Sequence, residues 1–171
     1  VYSEVSDYFS IDNGTRRLRV FPSTSNVPDI DFSTRLSEGF DYTLVATGFA
    51  GAVEPLLLVD DNTDPDFGNI KLRIVHASPS MGRIDIYVTR EGRDISDIEP
   101  EYSNVLFTQE TEYLEIRENE YQIRVTPART KSVILDTGGI RFRDQDVRTV
   151  VLFDNAGGGA PFRSTVIADE N

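Results

Sequence analysis

The sequence has no cysteine, one histidine, two lysines and no apolar run of membrane length, and each shortage removes a class of function. Without thiols there are no disulfides, no thiol nucleophile and no zinc–thiolate centre, while the redox compartment stays open. Leu56-Leu57-Leu58-Val59 is strand-sized and far below the roughly 18 residues a membrane helix needs. Long Ala/Leu/Glu/Lys runs are also missing, which argues against a helical protein. Basic charge is scarce: Asp and Glu number 29 against 17 Lys and Arg, so 17 − 29 gives −12, and only Lys71 and Lys131 are lysines. Such a surface repels a phosphate backbone or an anionic bilayer, so no nucleic-acid partner and no membrane insertion are expected. It suits a soluble protein in salty surroundings. What is present is a 39% apolar fraction with 10 Phe and 7 Tyr, enough for a packed core.

One pattern occurs twice. Tyr8, Ile11, Arg19, Val20 and Pro22 recur 105 positions later as Tyr113, Ile116, Arg124, Val125 and Pro127. Tyr42-Thr43-Leu44-Val45 matches Arg148-Thr149-Val150-Val151 at an offset of 106, as do Pro55 and Pro161. One residue has therefore been added between the copies. A slip inside a strand exchanges buried and exposed faces unless a bulge absorbs it, so the connection before the later strand is its expected place. Upstream of the second copy lies a strand pair, Lys71 to His76 and Arg83 to Val88; the sequence begins at Val1 with no counterpart.

Asp12-Asn13-Gly14-Thr15 between Tyr8–Ile11 and Arg16–Phe21 reads as a hairpin turn, with Asn119 at the left-handed position of the second copy. Strands are expected near 42–45 and 56–59, then 70–76, 83–88, 104–107, 112–116, 121–126, 132–135, 139–143, 147–153 and 162–168. Many short strands with frequent turn signals predict an all-β protein of two tandem immunoglobulin-like antiparallel β-sandwich modules, the first incomplete. Residues 1–60 form the partial module lacking its first strands, 61–69 an acidic linker and 70–171 the complete module.

Lys71-Leu72-Arg73-Ile74-Val75-His76-Ala77-Ser78-Pro79, followed by Ile84-Asp85-Ile86-Tyr87-Val88, resembles the opening of the DUF4397 family, a domain of unknown function. Members carry a similar "R-V-V-H-A-S-P … V-D-V-Y-V" stretch, then a tyrosine, a turn and a "V-x-P" strand. Glu112-Tyr113, Asn119 and Arg124-Val125-Thr126-Pro127 stand in those places, well matched over 70–154, with 1–59 as a partial copy. The resemblance implies a secreted or surface-anchored β-sandwich and transfers no catalytic residue. His76, Ser78, Pro79, Asp85 and Tyr87 are its motif positions.

His76, at the end of an apolar strand, is expected to bond backbone groups of the following turn. Ser78 lacks the strand-turn-helix context of a nucleophile elbow. Asp85 alternates with Ile84 and Ile86, so it should face the opposite way, toward solvent or the neighbouring loop, where a carboxylate could accept bonds from the His76 turn. Asp60, Asn62, Asp64 and Asp66 fall at alternate positions, which echoes the oxygen ligands of a calcium loop. Pro65 stands where an EF-hand needs Gly, and Lys71 replaces its closing Glu, leaving an irregular calcium site or a solvated linker. Asn155-Ala156-Gly157-Gly158-Gly159-Ala160 has no Lys-Ser/Thr after it and reads as a hairpin loop.

A sandwich without its opening strands exposes edge groups and an apolar face. Self-association or a strand-donating partner is the expected remedy, and head-to-tail donation builds a filament or surface layer. The expected function is thus a non-enzymatic structural or adhesive protein, secreted or at the cell surface, with its leader removed or not included. The alternative is a module whose loops at His76–Gly82 and Asn155–Ala160 hold a surface glycan or small ligand.

Overall fold

The computed structural model describes residues 3–169, and every regular element in them is a strand: β1 (Gly14–Val20), β2 (Ile30–Leu36), β3 (Asp41–Phe49), β4 (Ala52–Asp60), β5 (Asn69–His76), β6 (Ile84–Arg90), β7 (Tyr102–Val105), β8 (Leu114–Arg117), β9 (Glu120–Pro127), β10 (Leu135–Arg141), β11 (Val147–Phe153) and β12 (Arg163–Ala168). Among the described residues no helix is long and apolar enough to cross a membrane.

The second copy is a complete sandwich of two four-stranded sheets, ordered β10-β9-β6-β7 and β12-β11-β5-β8. The alternate residues Ile70, Leu72 and Ile74 of β5 and Val150 and Leu152 of β11 meet Ile84 and Ile86 of β6 and Ile123 and Val125 of β9 in one core. Period-two alternation places one residue set on each face, which is why β-branched side chains dominate this layer. The β5–β11 pair runs parallel, the one departure from the antiparallel ladders.

In the first copy, β1 pairs only with β2 and β3 only with β4. Their counterparts in the second copy are internal strands: β9 lies between β10 and β6, and β11 between β12 and β5. Among the described residues the first module therefore has one hairpin in each layer and an open edge on each. Ile123 and Val125 are wholly buried, whereas Leu18 and Val20 at the same positions of the repeat are only half-buried. Ile116 packs on the core, but its counterpart Ile11 is 45% exposed and the neighbouring Phe9 is 77% exposed.

The outer face of β12-β11-β5-β8 is covered by β3–β4. Leu58, Val75, Ala77 and Val151 form a second apolar cluster, with Val45, Leu56, Phe153 and Ile167 packed against it. β5 therefore lies between two apolar clusters and is buried on both faces.

Three sequence expectations change. The stretch Tyr8–Ile11 joins no ladder, and β1 finds its partner in β2, for which no strand was expected. In the second copy β8 pairs with β5 and β9 with β6 and β10, so the Arg117–Glu120 turn crosses between sheets rather than closing a hairpin. Gly14 has φ +102°, but Asn119 stays out of the left-handed region, and its Oδ1 instead accepts the Glu120 N–H at 2.8 Å.

The extra residue lies inside a strand. Val20 faces Ile30 as Val125 faces Leu135, but Gln122 faces Gly139 across a bulge between Asp136 and Gly139. The two strands expected at 132–135 and 139–143 are this single bulged β10. Gly138, at φ +66°, takes the left-handed turn that the bulge needs. The ladders also separate the two prolines: Pro55 sits within β4 opposite Ala46, while Pro161 precedes β12.

Candidate functional site: a buried arginine between the copies

β5 alternates Ile70, Leu72 and Ile74 toward the sandwich core with Lys71, Arg73 and Val75 toward β3–β4. Arg73 is 1% exposed. A guanidinium so placed is tolerable only with its donors used and its charge matched. Its Nε donates to Thr149 Oγ1 at 2.9 Å, and one terminal nitrogen donates to the Val59 carbonyl and Glu110 Oε2, each at 3.0 Å. The other donates to Asp60 Oδ1 at 2.5 Å and lies 3.7 Å from Asp169 Oδ2. The Tyr113 ring lies beneath, 4.7 Å from the guanidinium carbon.

The surroundings obey the repeat. In the first copy, Tyr8 and Thr43 both donate to Asp60 Oδ2 at 2.8 Å. In the second, Tyr113 and Thr149 donate to Asp169 Oδ2 at 2.8 and 2.6 Å. The β3–β4 ladder puts Thr43 opposite Leu58, two residues before Asp60; the β11–β12 ladder puts Thr149 opposite Ile167, two before Asp169. The two Tyr–Thr–Asp clusters are thus equivalent and meet at one junction. Burial raises the Tyr8 and Tyr113 phenols, and the neighbouring carboxylates add to the effect. Burial likewise raises the Asp169 carboxyl, against the hydrogen bonds from Thr149 and Tyr113.

At the aspartates the clusters differ in the second carboxylate oxygen. Asp60 Oδ1 receives Arg73, but Asp169 Oδ1 is buried with no hydrogen-bond partner among the described residues, and Asp169 is 0% exposed.

The alternating linker acids are not gathered round one point. Asp60 is turned inward and engaged by Arg73, Tyr8 and Thr43; Asn62 donates to Asp41 Oδ2 at 2.7 Å; Asp64 and Asp66 are exposed. Among the described residues no three His, Cys, Asp or Glu side chains cluster as a metal site. Of the expected calcium set Asp60, Asn62, Asp64 and Asp66, the first carboxylate is taken by a charged strand residue 13 positions on. The linker is also tied down: Lys71 Nζ donates to Asp61 Oδ2 and the Thr63 carbonyl at 2.9 Å, and the Thr63 hydroxyl with the Lys71 ammonium holds the Asp61 carboxyl at about 2.

The motif residues lie at the other end of β5. His76 Nε2 donates to the Gly82 carbonyl at 2.7 Å, and Nδ1 faces the Ser78 N–H at 3.4 Å. Burial lowers its pKa. The Ser78 hydroxyl donates to Asp154 Oδ1, and Ser80 to Asp154 Oδ2 at 2.6 Å, joining the His76–Gly82 loop to the one after β11. Neither imidazole nitrogen meets a hydroxyl, so Ser78, His76 and Asp154 do not make a nucleophile–base relay. Pro79 is half-buried in this loop. Asp85 faces away from the His76 turn and accepts the Asn104 and Arg129 N–H groups at 2.7 and 2.6 Å. Tyr87 is 2% exposed beneath Lys131 Nζ, 4.8 Å from its ring.

Sequence reading missed Arg73 as the centre of the junction. The signal lay in the repeat, since Tyr8/Tyr113 and Thr43/Thr149 were already paired, and Asp60-Asp61-Asn62 has a counterpart in Asp169-Glu170-Asn171. That pair stands at an offset of 109 because the β11–β12 loop is longer, so a fixed offset does not reveal it.

The architecture is that of a tandem β-sandwich protein whose first copy holds one hairpin in each layer among the described residues. The domain family DUF4397, described as a domain of unknown function, matches residues 1–87, and the chain belongs to it. The matched stretch takes in the first copy, β5 and the first residues of β6, whereas the motif resemblance rested chiefly on 70–154. Among curated proteins none matches the chain.

Proposed function

We propose that this is a non-enzymatic structural or adhesive protein of the cell surface, completed by a strand from a neighbouring molecule and assembled head to tail. Residues 1–60 serve as the acceptor module, 61–69 as the acidic connection and 70–171 as the finished module. The observation that carries this reading is the pair of open edges on β1 and β3, whose counterparts in the second copy are both occupied. Open edges with half-buried aliphatics between them offer ladder hydrogen bonds and an apolar face to an incoming strand. The acceptor edges and any donor lie on different surfaces, so each addition regenerates an acceptor.

Electron microscopy and sedimentation over a concentration series test the reading. Head-to-tail oligomers or fibres are expected; monomers at every concentration that also bind no added strand would overturn it. Glycan binding by the His76–Gly82 and Asn155–Ala160 loops has less support. Asp154, the carboxylate between them, is 4% exposed and already accepts Ser78, Ser80 and the Gly159 N–H.

A further inference from the structure

Asn13-Gly14-Thr15 is a pattern that neither the sandwich core nor the Arg73 junction uses. An asparagine with a hydroxyl residue two places on, and no proline between, is the acceptor pattern for N-linked glycosylation, which takes place on exposed segments of exported chains. No other asparagine among the described residues has Ser or Thr two places on.

The fold presents this pattern outward. Every side chain from Phe9 to Asn13 is exposed, and the stretch joins no ladder. Arg16 braces the turn, its Nε donating to the Asp12 carbonyl at 2.8 Å. Asn13 Nδ2 donates to Glu38 Oε2 at 3.2 Å, which leaves its second amide hydrogen free. Thr15 is exposed, and its hydroxyl has no hydrogen-bond partner among the described residues. The repeat supplies a contrast. In the second copy Glu118, Asn119 and Glu120 hold the same positions, and the turn is shut in: the Glu118 N–H donates to the Gly68 carbonyl and the Asn119 carbonyl accepts the Phe142 N–H, each at 2.9 Å. Only the first copy joins acceptor residues to an open turn.

We propose that Asn13 is the attachment point of an N-linked glycan, transferred from a lipid-linked saccharide. In the transfer Nδ2 bonds to the anomeric carbon of the sugar as the bond from that carbon to the lipid phosphate breaks. The phosphate leaves with the electron pair, and the amide gives up one proton. The hydrogen that stays on Nδ2 can still donate to Glu38. Gly14, at φ +102°, has no side chain to crowd the incoming sugar. Ile11 and Phe40, two residues from Asn13 and Glu38, are 45% and 58% exposed, so the saccharide stands beside an apolar end of the first copy. The proposal rests on the cell-surface reading, because only an exported chain meets the transferring enzyme.

The protein is recovered from its native host, cytoplasm, cell surface and medium separately, as the natural chain and as its Thr15→Ala and Thr15→Ser variants. Tandem mass spectrometry of the tryptic peptide ending at Arg16 reads the modification directly. Saccharide mass on Asn13 is expected in the natural chain and in T15S, and its complete loss in T15A. A surface or secreted chain with bare Asn13, or a saccharide that persists in T15A, overturns the glycan and leaves the surface reading standing. A chain confined to the cytoplasm with bare Asn13 overturns both. If either variant fails to fold, the natural chain alone decides.

Discussion

Arg73 is held by four side chains and a carbonyl, and its loss would leave Asp60 and Asp169 facing each other in a dry junction. Removing one member of a buried ion pair typically costs about 3–5 kcal/mol, because the remaining charge is stranded. Arg73→Met is therefore expected to lose a stability of that order in urea denaturation. The two aspartates should respond differently despite their equivalence: Asp60→Asn removes the carboxylate that Arg73 bonds, whereas Asp169→Asn removes a charge with an unmatched oxygen and keeps an acceptor for Tyr113 and Thr149. D60N should be markedly destabilised and D169N close to neutral. Equal losses would contradict the asymmetry. His76 gives a pH signature. Its folded pKa lies below the ordinary 6.5, so the unfolded chain binds the proton more readily, and stability drains as pH falls from about 6.5 toward the folded value. His76→Gln should lack that part of the slope between pH 7 and 5, with Asp154, the nearby carboxylate that opposes the shift, left in place.

At the scale of elements, the β3–β4 hairpin is the lid of the junction, and Gly48 shapes its end. It has φ +99°, and a Cβ there would lie 2.4 Å from the Ala52 carbonyl oxygen, too close to backbone to be relieved by a side-chain shift. Gly48→Ala should lower the melting temperature and loosen β3–β4 before the sandwich, seen as faster amide exchange at Thr43 and Leu58 than at Ile74. Sequence made most of the strands readable, because alternation of Ile, Val and Leu with polar residues survives in β5, β6, β9 and β11. It did not reveal strand partners. The Asn119 turn looks local, yet the chain continues into the other sheet, since a turn signal marks a change of direction and not which neighbour is met. The bulge in β10 likewise read as a gap between two strands, because Thr137-Gly138-Gly139 has the composition of a turn.

For the molecule as a whole, the stacking of β3–β4 on the second sandwich makes the linker part of the structure. Asp61 and Thr63 anchor Lys71, and Asp60 is sealed beneath β4 by Arg73. With these carboxylates engaged by protein donors, the melting temperature should be the same in millimolar calcium and in EDTA; a rise of several degrees with calcium would show that the linker acids regroup around an ion. Assembly is the larger consequence of the same stacking. An acceptor whose two edges lie in different layers receives a strand pair more readily than a single strand, so a peptide extended to residues 69–90 should raise the melting temperature more than one of residues 70–80.

The sequence by itself determined the all-β class, the tandem repeat and the family, because alternation, turn residues and recurring motifs are local and survive without coordinates. Only the tertiary structure decided which aspartate meets Arg73, that two distant Tyr–Thr–Asp sets share one junction, and that one oxygen of Asp169 is left over. Those facts depend on ladder register and on one copy folding over the other, and a buried charge acquires its meaning only from the groups that the packing brings within hydrogen-bond reach.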